Sequence, residues 1–250
     1  MARLLVSVRS VQEAWRAYRG GADIVDLKDP KRGALGPTSS RVWSRVLEAL
    51  NEHLPCSAAL GEWHQFSGEK QPLLSRFHYV KVGLAGARDS RSWTGCWQRL
   101  IDQLGRADSL VAVIYADWCR ARAPAPQEVF DAATAWGCRT ILWDTYEKDR
   151  PLTAWISWVE LASWVQQARR CGMITAVAGS LTAAMIPAAC ATGAEVIAVR
   201  TAACRGGRMG AVCRERVANL ASLVRGCSPG AGHPTPGAAA SATFLAHASR

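Results

Sequence analysis

No apolar run in this sequence approaches the roughly 18 residues of a membrane-spanning helix. The opening MARLLVSVRS holds a short apolar stretch and no small-residue cleavage pattern, so a secretory signal is not expected and a soluble, cytoplasmic protein is. The nine cysteines (56, 96, 119, 138, 171, 190, 204, 213 and 227) include no C-x-x-C pair. An odd count in a long chain argues against a disulfide framework. Without tight ligand spacings, no metal site is expected either. No G-x-S-x-G elbow is present, which argues against a Ser-His triad. The stretch RGGRMG at 205–210 lacks the lysine and spacing of a P-loop. SVRSVQEAW, where an open dinucleotide-binding sheet needs its Gly-rich turn, has no glycine.

Negative charge is also in short supply. Asp and Glu number 20 against 30 Lys and Arg, a net charge of +10. Half of that excess lies between residues 200 and 226, where six arginines (200, 205, 208, 214, 216, 225) face the single Glu215. Such a balance attracts anions, either nucleic acid or phosphorylated metabolites, and charge alone does not choose between them.

What is present is ordered. Short β-rich apolar runs recur at 4–8, 24–28, 57–61, 79–84, 110–117, 140–145, 174–180 and 196–202. Nearly every one is followed by a segment with helical spacing, and only 62–78 is weakly helical. Several of the helical segments end in glycine. Eight alternating units in 250 residues predict an α/β fold, a single-domain (β/α)8 TIM barrel over 1–226. Residues 227–250, rich in Pro, Gly, Ala and Ser, read as a disordered tail. The eleven tryptophans fall mostly in helix-like stretches and suit packing between helices and barrel.

Side chains alternate between the two faces of a strand. In the second run Val25 and Leu27 separate from Ile24, Asp26 and Lys28. In the fourth, Val80 and Val82 separate from Tyr79, Lys81 and Gly83. The sixth divides Ile141 and Trp143 from Leu142 and Asp144, and the eighth divides Ile197 and Val199 from Val196, Ala198 and Arg200. Each time the aliphatic set suits the helices and the ionisable set shares the barrel interior. Isolated buried charges cost several kcal/mol, so a cluster at the C-terminal mouth, where barrel enzymes work, is the economical reading.

The chemistry available to that cluster is lysine chemistry: Lys28, Lys81 and Lys148 with Asp26, Asp117 and Asp144. Burial and a neighbouring cation favour a neutral amine, which can attack a carbonyl. Gly179 and Ser180, expected to open directly into a helix at LTAAMIPAAC, and Arg200 after the eighth run suit a substrate phosphate.

These residues resemble the (5-formylfuran-3-yl)methyl phosphate synthase family. The similar stretches are LLVSVRSVQEA, GGADIVDLKDPKRGALG, YVKVGL, YAD, WDTYEKD, AGS and VRTAAC, in order from the first strand to the eighth. The resemblance implies a barrel lyase without metal or organic cofactor. It would join two glyceraldehyde 3-phosphate molecules, with loss of phosphate and water. It further implies Lys28 as the Schiff-base lysine and Lys81 as proton acceptor, with Asp26, Asp144 and Lys148 completing the charged set. Asp117 matches by motif, its role less defined. Two departures stand out: Thr201 replaces a glycine favoured by the family, and 62–78 matches poorly. Other readings are a different lysine-dependent aldolase on a sugar phosphate and a non-catalytic basic barrel that binds RNA. A small-molecule partner is expected, with no nucleic acid or membrane. Oligomeric state is left open, a homo-oligomer included.

Overall fold

The computed structural model describes residues 1–51, 53–90 and 92–227. The proposed tail lies almost wholly outside the described residues. Eight parallel strands close into a barrel: β1 (Arg3–Val8), β2 (Ile24–Leu27), β3 (Cys56–Glu62), β4 (Tyr79–Gly83), β5 (Leu110–Tyr115), β6 (Thr140–Asp144), β7 (Ile174–Val177) and β8 (Val196–Val199). Each pairs with the next in chain order, and β8 returns to β1 through pairs such as Leu5 with Ala198. The fold is a (β/α)8 TIM barrel.

The helices are α1 (Val11–Arg19), α2 (Ser40–Leu50), α3 (Ser92–Leu104), α4 (Trp118–Ala121), α5 (Pro126–Ala135), α6 (Trp158–Arg170), α7 (Ile186–Ala191) and α8 (Arg214–Gly226). Two features of α6 explain its position. Ser157 caps it by accepting the Glu160 N–H, and Leu161, Val165 and Ala168 recur at helical spacing and are buried. No α-helix stands between β3 and β4. Two 3-10 turns, at Trp63–Gln65 and Leu74–Arg76, take its place, consistent with the weak helical pattern there. Among the described residues, no helix is long and apolar enough to cross a membrane.

Strand alternation divides the core into two layers. Val25, Leu27, Val80, Val82, Ile141, Trp143, Ile197 and Val199 lie in the larger layer between strands and helices. Burial of each such aliphatic side chain contributes about 1.5–3 kcal/mol. Leu5, Ile24, Val111, Leu142, Val196 and Ala198 form the smaller layer inside the barrel. Trp97 and Trp143 are fully buried in the outer layer, and Trp43 packs edge-on against Phe77.

One expectation needs correction. Gly179 and Ser180 do not run straight into a helix. A 3-10 turn occupies Ala183–Met185, and α7 begins only at Ile186 and is six residues long. Pro187 in its first turn suits that late start, since proline is preorganised there and its missing N–H has no intrahelical role.

After β8 the chain forms a small hairpin, β9 (Cys204–Arg205) and β10 (Ala211–Val212). Arg9 donates to the carbonyls of Met209 and Gly210, both at 3.0 Å, which ties the hairpin loop to the end of β1.

Candidate active site

A pocket occupies the barrel interior. Asp26, Lys28, Lys81, Asp144 and Lys148 all line it, with Val111, Leu142 and Val196 among its apolar walls. The first four are buried, and Lys148 is largely so. Alternation aims Asp26, Lys81 and Asp144 inward from three different strands. Lys28 leaves the end of β2, where its N–H bonds the Val8 carbonyl at 3.0 Å.

Lys81 Nζ donates to Asp26 Oδ1 at 2.6 Å and to Ser57 Oγ at 3.1 Å. Asp26 Oδ2 accepts the Ser7 hydroxyl at 2.9 Å. Burial pushes the Asp26 carboxyl up, but Lys81, Lys28 and the hydrogen bonds together outweigh it and hold the group below its ordinary range. The second pair is local: Lys148 Nζ meets Asp144 Oδ1 at 2.5 Å and also donates to the Thr145 carbonyl. Asp144 Oδ1 takes the Thr145 N–H as well, at 2.8 Å, whereas Oδ2 is buried with no partner among the described residues.

Lys28 differs from both of these lysines. Among the described residues, its Nζ makes no ion pair or hydrogen bond. Burial brings its pKa down to about 8; Asp144 and Asp26 oppose that fall, and Lys148 and Lys81 reinforce it. A lysine so placed presents an appreciable fraction of free amine near neutral pH. Here it does so beside two paired lysines and a carboxylate oxygen with room for another hydrogen bond.

Residues 4–221 match the 4-HFC-P synthase family. The chain belongs to that family. The (5-formylfuran-3-yl)methyl phosphate synthase of Methanothermobacter thermautotrophicus is 33% identical over 231 residues, 88% of this chain and 98% of that protein. The enzyme of the same name from Methanocaldococcus jannaschii is 33% identical over 233 residues, 89% of this chain and 99% of the other. Among solved structures, 3-hexulose-6-phosphate synthase superposes with a TM-score of 0.57 at 20% identity, covering 89% of this chain and 99% of that one. At that identity the likeness is one of fold.

The remaining family-matched positions sit differently. Asp117 is buried but lies outside the pocket wall. Its two carboxylate oxygens accept the N–H groups of Tyr146 and Glu147, at 2.7 and 2.8 Å, and so hold the loop that carries Lys148. Gly179 and Ser180 line the pocket, both with positive φ, 96° and 53°. A Cβ on Gly179 would press on Leu152 and Thr145 at 3.0 and 3.2 Å. Arg200 also lines the pocket, yet its guanidinium is spent on the protein. It donates to Glu13 Oε2 at 2.6 Å, Glu13 Oε1 at 3.2 Å, and the carbonyls of Ser7, Arg208 and Gly210. Those contacts match the five donors of a guanidinium.

Glu62 was not singled out from sequence. It ends β3, is buried, and accepts the Tyr115 hydroxyl at 2.7 Å and the Ala85 N–H at 2.8 Å. Burial raises its carboxyl pKa against those hydrogen bonds. Strict alternation from Ser57 and Ala59 would turn Glu62 toward the helices. The register shifts between Ala59 and Glu62, at Gly61 with φ 88°, and sets Glu62 opposite Gly83. Only a glycine fits at 83, because a Cβ there would overlap the Glu62 carboxylate and the Tyr115 hydroxyl.

Proposed function

We propose that this protein condenses two molecules of glyceraldehyde 3-phosphate into (5-formylfuran-3-yl)methyl phosphate, with loss of phosphate and water, through a Schiff base on Lys28. The product would serve methanofuran-type cofactor biosynthesis. The observation that supports the mechanism is the buried Lys28 amine, unpartnered among the described residues and with its pKa brought to about 8, set in a pocket with two further lysines.

The neutral Lys28 amine adds to the aldehyde carbon of one triose phosphate, and loss of water leaves a protonated imine. That cationic nitrogen draws electrons from the adjacent C–H bond. Lys81, held 2.6 Å from Asp26, takes the released proton on its amine nitrogen. The enamine then adds through its carbon to the aldehyde of the second triose phosphate, forming the new C–C bond. Lys148 and Asp144 exchange protons with the hydroxyl groups that leave as water, and Asp144 Oδ2 is free to accept one of those hydrogen bonds. Attack of a hydroxyl of the second triose on the imine carbon forms the ring C–O bond as the C–N bond to Lys28 breaks, and loss of phosphate and water completes the furan, with the Lys28 amine returned. Asp117 acts through the loop it holds, as a positioning residue.

Borohydride reduction during turnover tests this reading. Mass spectrometry of the protein should find a reduced triose-phosphate adduct on Lys28, and the small-molecule fraction should contain a new ultraviolet-absorbing aldehyde. Active enzyme without the adduct, or Lys28→Ala with normal turnover, overturns the mechanism. An adduct without a furan product points to a different aldolase.

A further inference from the structure

The charged groups around the pocket do not balance. Lys81 pairs with Asp26, Lys148 with Asp144 and Arg200 with Glu13, so three cations are matched by three carboxylates. Lys28 and Arg208 are left over, and both line the pocket. Among the described residues, Arg208 has no carboxylate partner. Its side chain makes a single hydrogen bond, to the Gly33 carbonyl at 3.1 Å, which joins the loop after β8 to the loop after β2. A guanidinium carries five donors, so most of those on Arg208 remain unused at the pocket rim.

The loop that carries Arg208 is held from beneath. Arg200 and Arg9 both donate to Gly210, Arg200 also bonds Arg208's own carbonyl, and Arg9 bonds Met209. Gly210 closes the hairpin so tightly that a Cβ there would overlap the Arg205 carbonyl. Arg208 is therefore presented from a braced backbone, which limits the entropy lost when its side chain takes a ligand. On the pocket wall formed by the loop after β7, the backbone N–H groups of Gly179, Ser180 and Leu181 have no acceptor among the described residues. An unpaired guanidinium and unclaimed N–H groups on one pocket suit a tetrahedral dianion.

We infer that Arg208, rather than Arg200, binds the phosphate group of the substrate, with the 179–181 backbone as its counterpart. The inference rests on the proposed activity only for the identity of that substrate as a triose phosphate. Arg200 has the different task of bracing the Arg208 loop. Burial lowers the pKa of half-buried Arg208, Asp144 opposes that through space, and the field of Arg200 reinforces it; a bound phosphate dianion offsets both the burial and the Arg200 field.

Binding can be read apart from turnover with glycerol 3-phosphate, which has no carbonyl and forms no imine. Titration calorimetry should show binding of glycerol 3-phosphate to the wild-type protein and none of glycerol. Arg208→Gln should weaken that binding about 10- to 100-fold, the range expected for a charge-assisted contact, and Arg208→Lys should weaken it less. With glyceraldehyde 3-phosphate, Arg208→Gln should raise KM by a similar factor with a smaller change in kcat. Wild-type affinity in both variants overturns the inference, as does a wild-type protein that ignores glycerol 3-phosphate. If no furan phosphate is made yet glycerol 3-phosphate binding depends on Arg208, the phosphate site stands and the proposed activity falls. If Arg208→Gln makes the furan at unchanged KM, the activity stands and the phosphate site falls.

Discussion

Lys81 Nζ lies 2.6 Å from Asp26 Oδ1, and both side chains are almost wholly shielded from solvent. Two residues after Asp26, Lys28 has no such partner among the described residues. The same carboxylate hydrogen-bonds one lysine directly and reaches the other only through space, so two buried amines in one pocket have different surroundings.

Removing one member of that pair exposes its dependence. Asp26→Asn leaves the Lys81 ammonium buried without a counter-charge and should cost about 3–5 kcal/mol of stability, read by urea or guanidinium unfolding. Asp26→Leu combined with Lys81→Met should recover most of that loss, since an apolar replacement carries no desolvation cost, while activity stays absent. Unchanged stability in the single variant would mean that the pair is wetter than the barrel interior indicates.

The pH dependence follows from Lys28. Its pKa is brought down to about 8 by burial, and the proposed nucleophile is its neutral amine. Imine formation should therefore rise with pH through about 8 and level off above it, measured as borohydride-trapped adduct at saturating aldehyde. Lys148→Met removes a cation that lowers the Lys28 pKa and frees Asp144 to raise it. The rising limb should then move to higher pH; a limb that stays in place separates the two lysines electrostatically.

Lys28 also carries a stability signature. In the unfolded chain its pKa is near 10.5, and in the folded protein about 8, so between those values the unfolded state binds more protons. The destabilisation from holding the ammonium in the barrel is fully present below about pH 8 and is lost as pH rises toward 10.5. At neutral pH the shift corresponds to up to ~3 kcal/mol. Lys28→Met should thus unfold at higher denaturant concentration than wild type near pH 7, with the advantage shrinking as pH approaches 10, and should form no adduct.

Arg200 and Arg208 should separate cleanly on mutation. Arg200→Gln strips Glu13 of a buried partner at 2.6 Å and loosens the loop carbonyls, so a stability loss of about 3–5 kcal/mol is expected, seen as a lower thermal midpoint. Arg208→Gln, which gives up one hydrogen bond to Gly33, should shift the midpoint by a degree or two at most. Equal losses in the two variants would assign them the same structural role.

Much of the architecture is written in local pattern. The runs at 24–28, 79–84 and 140–145 alternate strictly, so Asp26, Lys81 and Asp144 share the interior face of any closed parallel sheet, as they do here. Where the pattern breaks, legibility ends. Glu62 reaches its place because the β3 register slips at Gly61, and counting by twos along the strand sends it the wrong way. The alanines of the loop at 179–185 suggest a helix, yet proline at 187 and positive φ at Gly179 and Ser180 delay it.

Residue order alone determined the eight-unit barrel and the inward lysines, because the periodicity of side chains along a strand is a property of the backbone and needs no distant contact. Only the folded molecule decided which charges remain available. Arg200 and Arg208 are equally basic by residue type, and Asp117 and Asp144 are equally acidic. The difference arises from Glu13, the hairpin carbonyls and the Tyr146 and Glu147 amides, brought across the chain by barrel closure to consume one member of each pair and leave a bonding site on the other.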